Sequence, residues 1–194
     1  MKKILVFLSL FMAFQLIISC DSLEEKNNEV STDQKIDPIE RGKYLVTIMD
    51  CNICHSPKIF NAKGFEFDEN RILSGFPSDA QLPAYNSSNF VPGNWVLFHP
   101  EFTSVLGPWG ISFASNLTPH ESGLGNWTFD QFKIAMTQGK HKGMENGRTL
   151  LPPMPWESFQ SLNDKDLRSI FAYLQTIKPV ENIVPEPIPP SAVN

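Results

Sequence analysis

Cys51-Asn52-Ile53-Cys54-His55 is the stretch that decides how this chain is read. Two thiols three positions apart can add to the two vinyl groups of one haem, and the adjacent imidazole then reaches the iron from the same side. One short segment thus both anchors and ligates the cofactor. The other readings of the motif ask for more than the chain supplies. A structural zinc site needs about four nitrogen or sulfur ligands, usually including a second cysteine or histidine pair. Here His99, His120 and His141 are scattered singly. A thioredoxin-like CxxC follows a strand, whereas the residues before Cys51 have a helical pattern. The expected cofactor is one covalent haem c, since no second CxxCH occurs in the 194 residues.

Upstream of the motif, Pro38 to Met49 predicts a helix, with Pro38 in the first turn and Tyr44, Leu45 and Ile48 on one face. Asp21 to Asp37 is polar and charged with no apolar periodicity, and reads as a flexible tether. As a coil it spans about 20–25 Å, and about 55 Å when stretched. Met1-Lys2-Lys3 precedes an apolar run from Ile4 to Ile18 broken only by Ser9 and Gln15. That run is short for a membrane span, and its basic start fits a secretory signal. It ends in Ile17-Ile18-Ser19-Cys20, which resembles the lipobox of bacterial lipoproteins. The resemblance implies cleavage before Cys20, acylation of Cys20 and a membrane-anchored lipoprotein of the bacterial periplasm.

The three cysteines are then fully assigned: Cys20 to lipid, Cys51 and Cys54 to haem. None is left for a disulfide, so a covalent cofactor in the core is the expected staple of an exported protein. The net charge of −5 argues against nucleic acid as a partner.

Downstream, Thr128 and Gln131 form a capping box that opens a helix through Phe132 and Met136 to Gly139. A last helix has Asn163 as N-cap and Asp164 and Asp166 in its first turn. Leu167, Ile170, Phe171 and Leu174 follow at i, i+3, i+4 and i+7, with Lys178 and Pro179 closing it. Between Phe60 and His120 the chain reads neither as helix nor as regular strand. Its aromatic residues Trp95, Phe98, Phe102 and Trp109 are expected to pack around the cofactor. Pro179 to Asn194 holds five prolines and predicts an extended tail, whose Ile183, Val184, Ile188 and Val193 can lie along the domain surface.

A haem ligated by His55 needs a group on its far side. A methionine there raises the reduction potential and closes the iron to other ligands. Of six methionines, Met1 and Met12 leave with the signal, Met49 lies too near the proximal motif, and Met136 sits on an apolar helix face. Two remain: Met144, in a glycine-flanked turn, and Met154, in Leu151-Pro152-Pro153-Met154-Pro155-Trp156, where prolines stiffen the chain. His99 and His141 follow if neither serves.

Arg41-Gly42-Lys43-Tyr44-Leu45, the CxxCH, the Pro-Pro-Met-Pro-Trp run and Asp166-Leu167 through Ala172-Tyr173-Leu174 resemble the cytochrome c domain. Ser115-Asn116-Leu117-Thr118-Pro119 and Gly123-Leu124-Gly125-Asn126-Trp127-Thr128 are similar, more narrowly, to modules of the bacterial cytochromes that accompany periplasmic dehydrogenases. The resemblance covers roughly Pro38 to Val180. It implies that Cys51 and Cys54 hold the haem, with His55 proximal and Met154 distal. It also implies that Gly42 lets the first helix cross the last one closely, with Tyr173 packed at the crossing. The chain departs from the family in a longer segment, 76–108, and in His120, where members tend to carry Asp.

The expectation is an all-α, cytochrome c-like fold with a long irregular insertion between the haem motif and the later helices. Residues 1–19 are read as signal, 20–37 as lipid-attached tether, 38–180 as cytochrome domain and 181–194 as tail. Such a protein passes electrons between periplasmic or membrane redox partners, a dehydrogenase or oxidase, and is not itself an enzyme. Two rivals stand beside it: a haem sensor or small-molecule-transforming enzyme with an open distal site, and a binding lipoprotein in which the CxxCH is incidental.

Overall fold

Asp37 opens the first helix, its carboxylate accepting the Ile39 N–H at 3.0 Å, and Pro38 occupies a first-turn position where its missing donor costs nothing. From there a computed structural model describes residues 37–83 and 95–192. The predicted signal, Cys20 and the tether up to Ile36 lie outside the described residues.

Helix α1 spans Pro38–Ile48. Its buried face is Gly42, Leu45 and Val46, while Tyr44 and Ile48 are exposed. The expected face is thus rotated, because the contact is set by the smallest residue. A Cβ at Gly42 would overlap the Ser169 carbonyl and lie 2.7 Å from the Tyr173 Cβ, so backbone meets backbone where α1 crosses the last helix. After α1, Asp50 takes a left-handed conformation (φ 55°) and the chain reverses into α2, Cys51–His55.

Helix α3 (Phe129–Gln138) carries the full Thr128–Gln131 capping box and ends at Gly139 with φ 63°. A short α4 (Trp156–Phe159) leads to α5 (Asp164–Leu174), capped by Asn163, whose side chain accepts the Asp166 N–H at 2.9 Å. Leu45, Val46, Leu73, Leu124, Phe132, Met136, Leu167, Ile170 and Leu174 form the main core.

The all-α expectation is wrong. Strands β1 (Lys58–Asn61) and β2 (Gly64–Phe67) form an antiparallel hairpin. Strands β3 (Leu97–Phe98), β4 (Ser104–Gly107) and β5 (Gly110–Phe113) form a three-stranded antiparallel sheet. The fold is mixed, with helices around the main core and two small sheets built from the segment expected to be irregular. These strands hide from a pattern search because each is two to four residues long. The β4 strand is moreover buried at every position and shows no alternation. The hairpin turns use Gly64 (φ 126°) and Gly110 (φ 91°), where a side chain would be strained.

The tail is extended but not free. Ile188 exchanges backbone hydrogen bonds with Ile111 at 2.8 and 3.0 Å, adding to the edge of β5. Asn182 is buried, its amide donating to the Ser74 and Phe76 carbonyls at 2.7 and 2.9 Å while its oxygen accepts the Ser78 N–H at 2.8 Å. Ile183 points to solvent, and Val193 lies outside the described residues.

Candidate functional site

The α2 turn presents Cys51 and Cys54 half-buried, with Cys51 packed on the main core. Burial pushes the Cys51 thiol up to about 11 and raises Cys54 as well, so both are protonated thiols at neutral pH. His55 lies at the end of the same turn. Its Nδ1–H donates to the Ser115 carbonyl at 2.8 Å, and since a carbonyl only accepts, the proton must sit on Nδ1. Burial lowers the ring's pKa, so Nε2 keeps a lone pair for a metal.

Met154 follows a cis Pro152–Pro153 bond and packs against the main core that also receives Cys51. The chain just before it is tied down from the small sheet, where the Ser112 hydroxyl of β5 donates to the Pro152 carbonyl at 2.7 Å. The end of β5 therefore serves both candidate ligands. Ser112 holds the Met154 segment and Ser115, just beyond the strand, orients His55. Neither serine was singled out by sequence reasoning; the one available signal was that Ser115 opens a family-like run.

A pocket of about 550 Å³, a size typical of cofactor sites, is lined by Ser112, Ser115 and Met154, while Cys51, Cys54 and His55 lie outside its lining. Its walls are Leu117, Leu124, Trp127, Phe132, Met136 and Met154, and its rim carries Glu121, His141, Lys142, Arg148 and Glu186. An apolar interior with a polar rim suits a haem, whose flat ring is apolar and whose propionates are charged. These residues fit the group. A hollow of about 640 Å³ beside Arg41, Asp164 and Asp166 has a charged lining and gathers none of the candidate ligands.

The other candidates separate cleanly. Met144 is half exposed, on the surface as its turn suggested. His141 borders the pocket. His99 instead stacks edge-on against Phe76, its Nδ1 accepting the Glu101 N–H at 3.3 Å. Trp95, Phe98 and Phe102 are exposed rather than packed around the pocket. Trp109 covers Gly107 and donates to the Ser112 hydroxyl at 3.2 Å. Aromatic character alone did not distinguish these rings from Trp127 and Phe132, which line it. Among the described residues no group of three or more His, Cys, Asp or Glu side chains gathers as a metal site, so a zinc reading finds no donor set.

Comparison with known proteins finds similarity to cytochrome c subunits of dehydrogenases. It is 33% identical over 144 residues to the cytochrome c subunit of the quinone-dependent alcohol dehydrogenase of Komagataeibacter europaeus, covering 73% of this chain and 22% of that subunit. With the fructose dehydrogenase cytochrome subunit of Gluconobacter japonicus it shares 29% over 145 residues, 74% of this chain and 22% of that one. With the gluconate 2-dehydrogenase cytochrome c subunit of Pantoea cypripedii it shares 28% over 136 residues, 70% of this chain and 22% of that one. The chain thus spans about a fifth of the length of these curated relatives. No protein-family model matches it.

Proposed function

We propose that this protein is an electron carrier holding one covalent haem c, with His55 and Met154 as axial ligands, and that it is not itself an enzyme. One observation carries the reading: Cys51 and Met154 border the same apolar core, beside a pocket of cofactor size. When bound, the haem iron takes up and releases one electron. The chain's residues do the rest. Cys51 and Cys54 would hold the haem covalently, through two thioethers to its vinyl groups. Ser115 holds the His55 proton on Nδ1, which would leave Nε2 free to bind the iron. Met154 offers a soft thioether that favours the reduced state. Leu124, Phe132 and Met136 exclude water, which keeps the site closed to external ligands.

The rest of the reading comes from the sequence and from the relatives' names. Residues 1–19 are removed as a signal, Cys20 is acylated, and 20–37 tethers the domain (38–180) to a periplasmic membrane. No described helix is long and apolar enough to cross a membrane. The relatives are named as subunits of dehydrogenases, and a dehydrogenase is the partner class we assign.

Two experiments test the site. The Cys51→Ser/Cys54→Ser double variant should lose covalent haem staining on denaturing gels; undiminished staining refutes the attachment. Met154→Ala should lower the potential and let reduced protein bind carbon monoxide, while Met144→Ala does neither. Wild-type protein that binds carbon monoxide readily would favour the sensor or enzyme reading instead.

A further inference from the structure

Lys58 is 4% exposed, yet it carries a charge. Its Nζ donates to the carbonyls of Ile53 (2.5 Å), Ser56 (3.0 Å) and Glu101 (2.5 Å). Three carbonyl oxygens around one nitrogen require three N–H bonds, and only the ammonium form has three. The rings of Phe65, Phe67 and Phe102 surround it at 5.3–5.8 Å, a cation–π setting that also favours the charge. Burial lowers its pKa, while Cys54 and Glu101 pull it back up.

Two features make this more than a staple. Ile53 lies inside the CxxCH turn, so the buried charge sits against the segment that carries both thiols and His55. The opposite charge is built in beside it, for the Glu101 carboxylate accepts the Lys58 backbone N–H at 3.2 Å. A hairpin needs neither group. Burying an ammonium is costly unless every donor is used, as here, and an apolar residue would avoid the cost altogether.

We propose that the charges of Lys58 and Glu101 set the reduction potential of the iron held by the 51–55 turn. The inference rests on the haem reading above. Oxidation adds one positive charge at the iron, so a fixed cation nearby favours the ferrous state and a fixed anion the ferric state. Lys58 raises the potential and Glu101 trims it. Both act through the turn and its electrostatics without touching the cofactor, as positioning residues.

The test is an equilibrium redox titration at pH 7 of the full chain with its haem, followed by the visible spectrum, with thermal unfolding measured on the same samples. Lys58→Met should shift the ferrous–ferric balance about tenfold toward ferric, which for one electron is 59 mV downward. Lys58→Arg, which keeps the charge, should stay close to wild type. Glu101→Gln should move the potential upward. A purely structural role predicts otherwise: both neutralising variants would lower the unfolding temperature and shift the potential in the same direction or not at all, and that result overturns the proposal. If Lys58→Met does not assemble with haem, the sign of the Glu101→Gln shift decides alone: upward supports, unchanged or downward refutes. Wild type without covalent haem would remove the cofactor reading itself, a separate failure visible on the stained gel.

Discussion

Where α1 crosses α5 the contact is dry. Leu45, Val46, Leu167, Ile170 and Leu174 are all buried, and Gly42 brings the two backbones together. Between Lys58 and Phe113 a smaller apolar cluster around Leu106 and Ile111 is joined by polar fixing contacts: the Lys58 ammonium on three carbonyls, Ser112 on Pro152, and the Asn182 amide of the tail reaching back to Ser74 and Phe76. The same half leaves Ile59, Phe60, Phe65, Trp95 and Phe98 in solvent. The helical half spreads its stability over many apolar contacts, each interchangeable with others of similar volume. The strand-built half has a smaller apolar cluster and adds a few directed hydrogen bonds to it. Directed bonds are poor at filling volume but good at holding a backbone group in one place, and they hold the two segments that carry His55 and Met154.

This contrast predicts a ranking of sensitivities. The helix crossing should break most severely. Gly42→Leu forces a side chain into the Ser169 carbonyl, and chemical denaturation should show a loss of about 3 kcal/mol or failure to fold. A variant of near wild-type stability would show that α1 and α5 can slide apart. Next comes the polar half at its most buried amide. Asn182→Ala strands two carbonyls and one N–H and should cost about 1–3 kcal/mol. It should also increase hydrogen exchange around Phe76 and Ser78, which no helical-core truncation should match.

The third prediction concerns the charged edge of the helical half. Arg41 grips Asp166 through two hydrogen bonds, 2.8 and 3.2 Å. The hydrogen bond from Arg41 is the main cause holding the Asp166 carboxyl below the usual range. A depressed carboxylate pKa contributes stability above the unfolded value, about 3.9, and that contribution is lost as pH falls through the folded one. Arg41→Met should therefore be slightly less stable than wild type at pH 7, a small effect since the pair is solvated. The gap should close as the pH drops below about 4. A gap that stays constant with pH would mean that Arg41 acts by packing. The smallest effect belongs to the exposed hairpin, where Phe60→Ser should change stability by no more than about 0.5 kcal/mol. A larger loss would mean that this aromatic face is covered in the folded protein.

How much of this could be read in advance depends on the range of the interaction involved. Helices α1, α3 and α5 were legible because caps and apolar spacing act over three or four residues: Thr128 with Gln131, Asn163 with Asp166, Leu167 with Ile170 and Leu174. The small sheets were not legible. A two-residue strand such as Leu97–Phe98 has no period, and a wholly buried one such as Ser104–Gly107 has no alternation. The candidate site divides in the same way. Cys51, Cys54 and His55 stand together in one motif, and Met154 stood out by its proline context and its family resemblance. The hydrogen bonds around them join His55 to Ser115 across 60 residues and Ser112 to Pro152 across 40, and no local pattern encodes such a pair.

By itself, then, the sequence determined the cofactor-type motif, the three main helices and the chemical identity of the candidate ligands, all of which depend on residue type and short spacing. The tertiary structure alone decided that the segment expected to be irregular is partly sheet, that its exposed aromatics lie away from the pocket, and that residues 112–115 steady both His55 and the Met154 segment. It also decided that Lys58 is buried against the CxxCH turn. The physical reason is that burial and long-range hydrogen bonding are properties of where segments meet, and two segments of one chain carry no mark of each other until the fold brings them together.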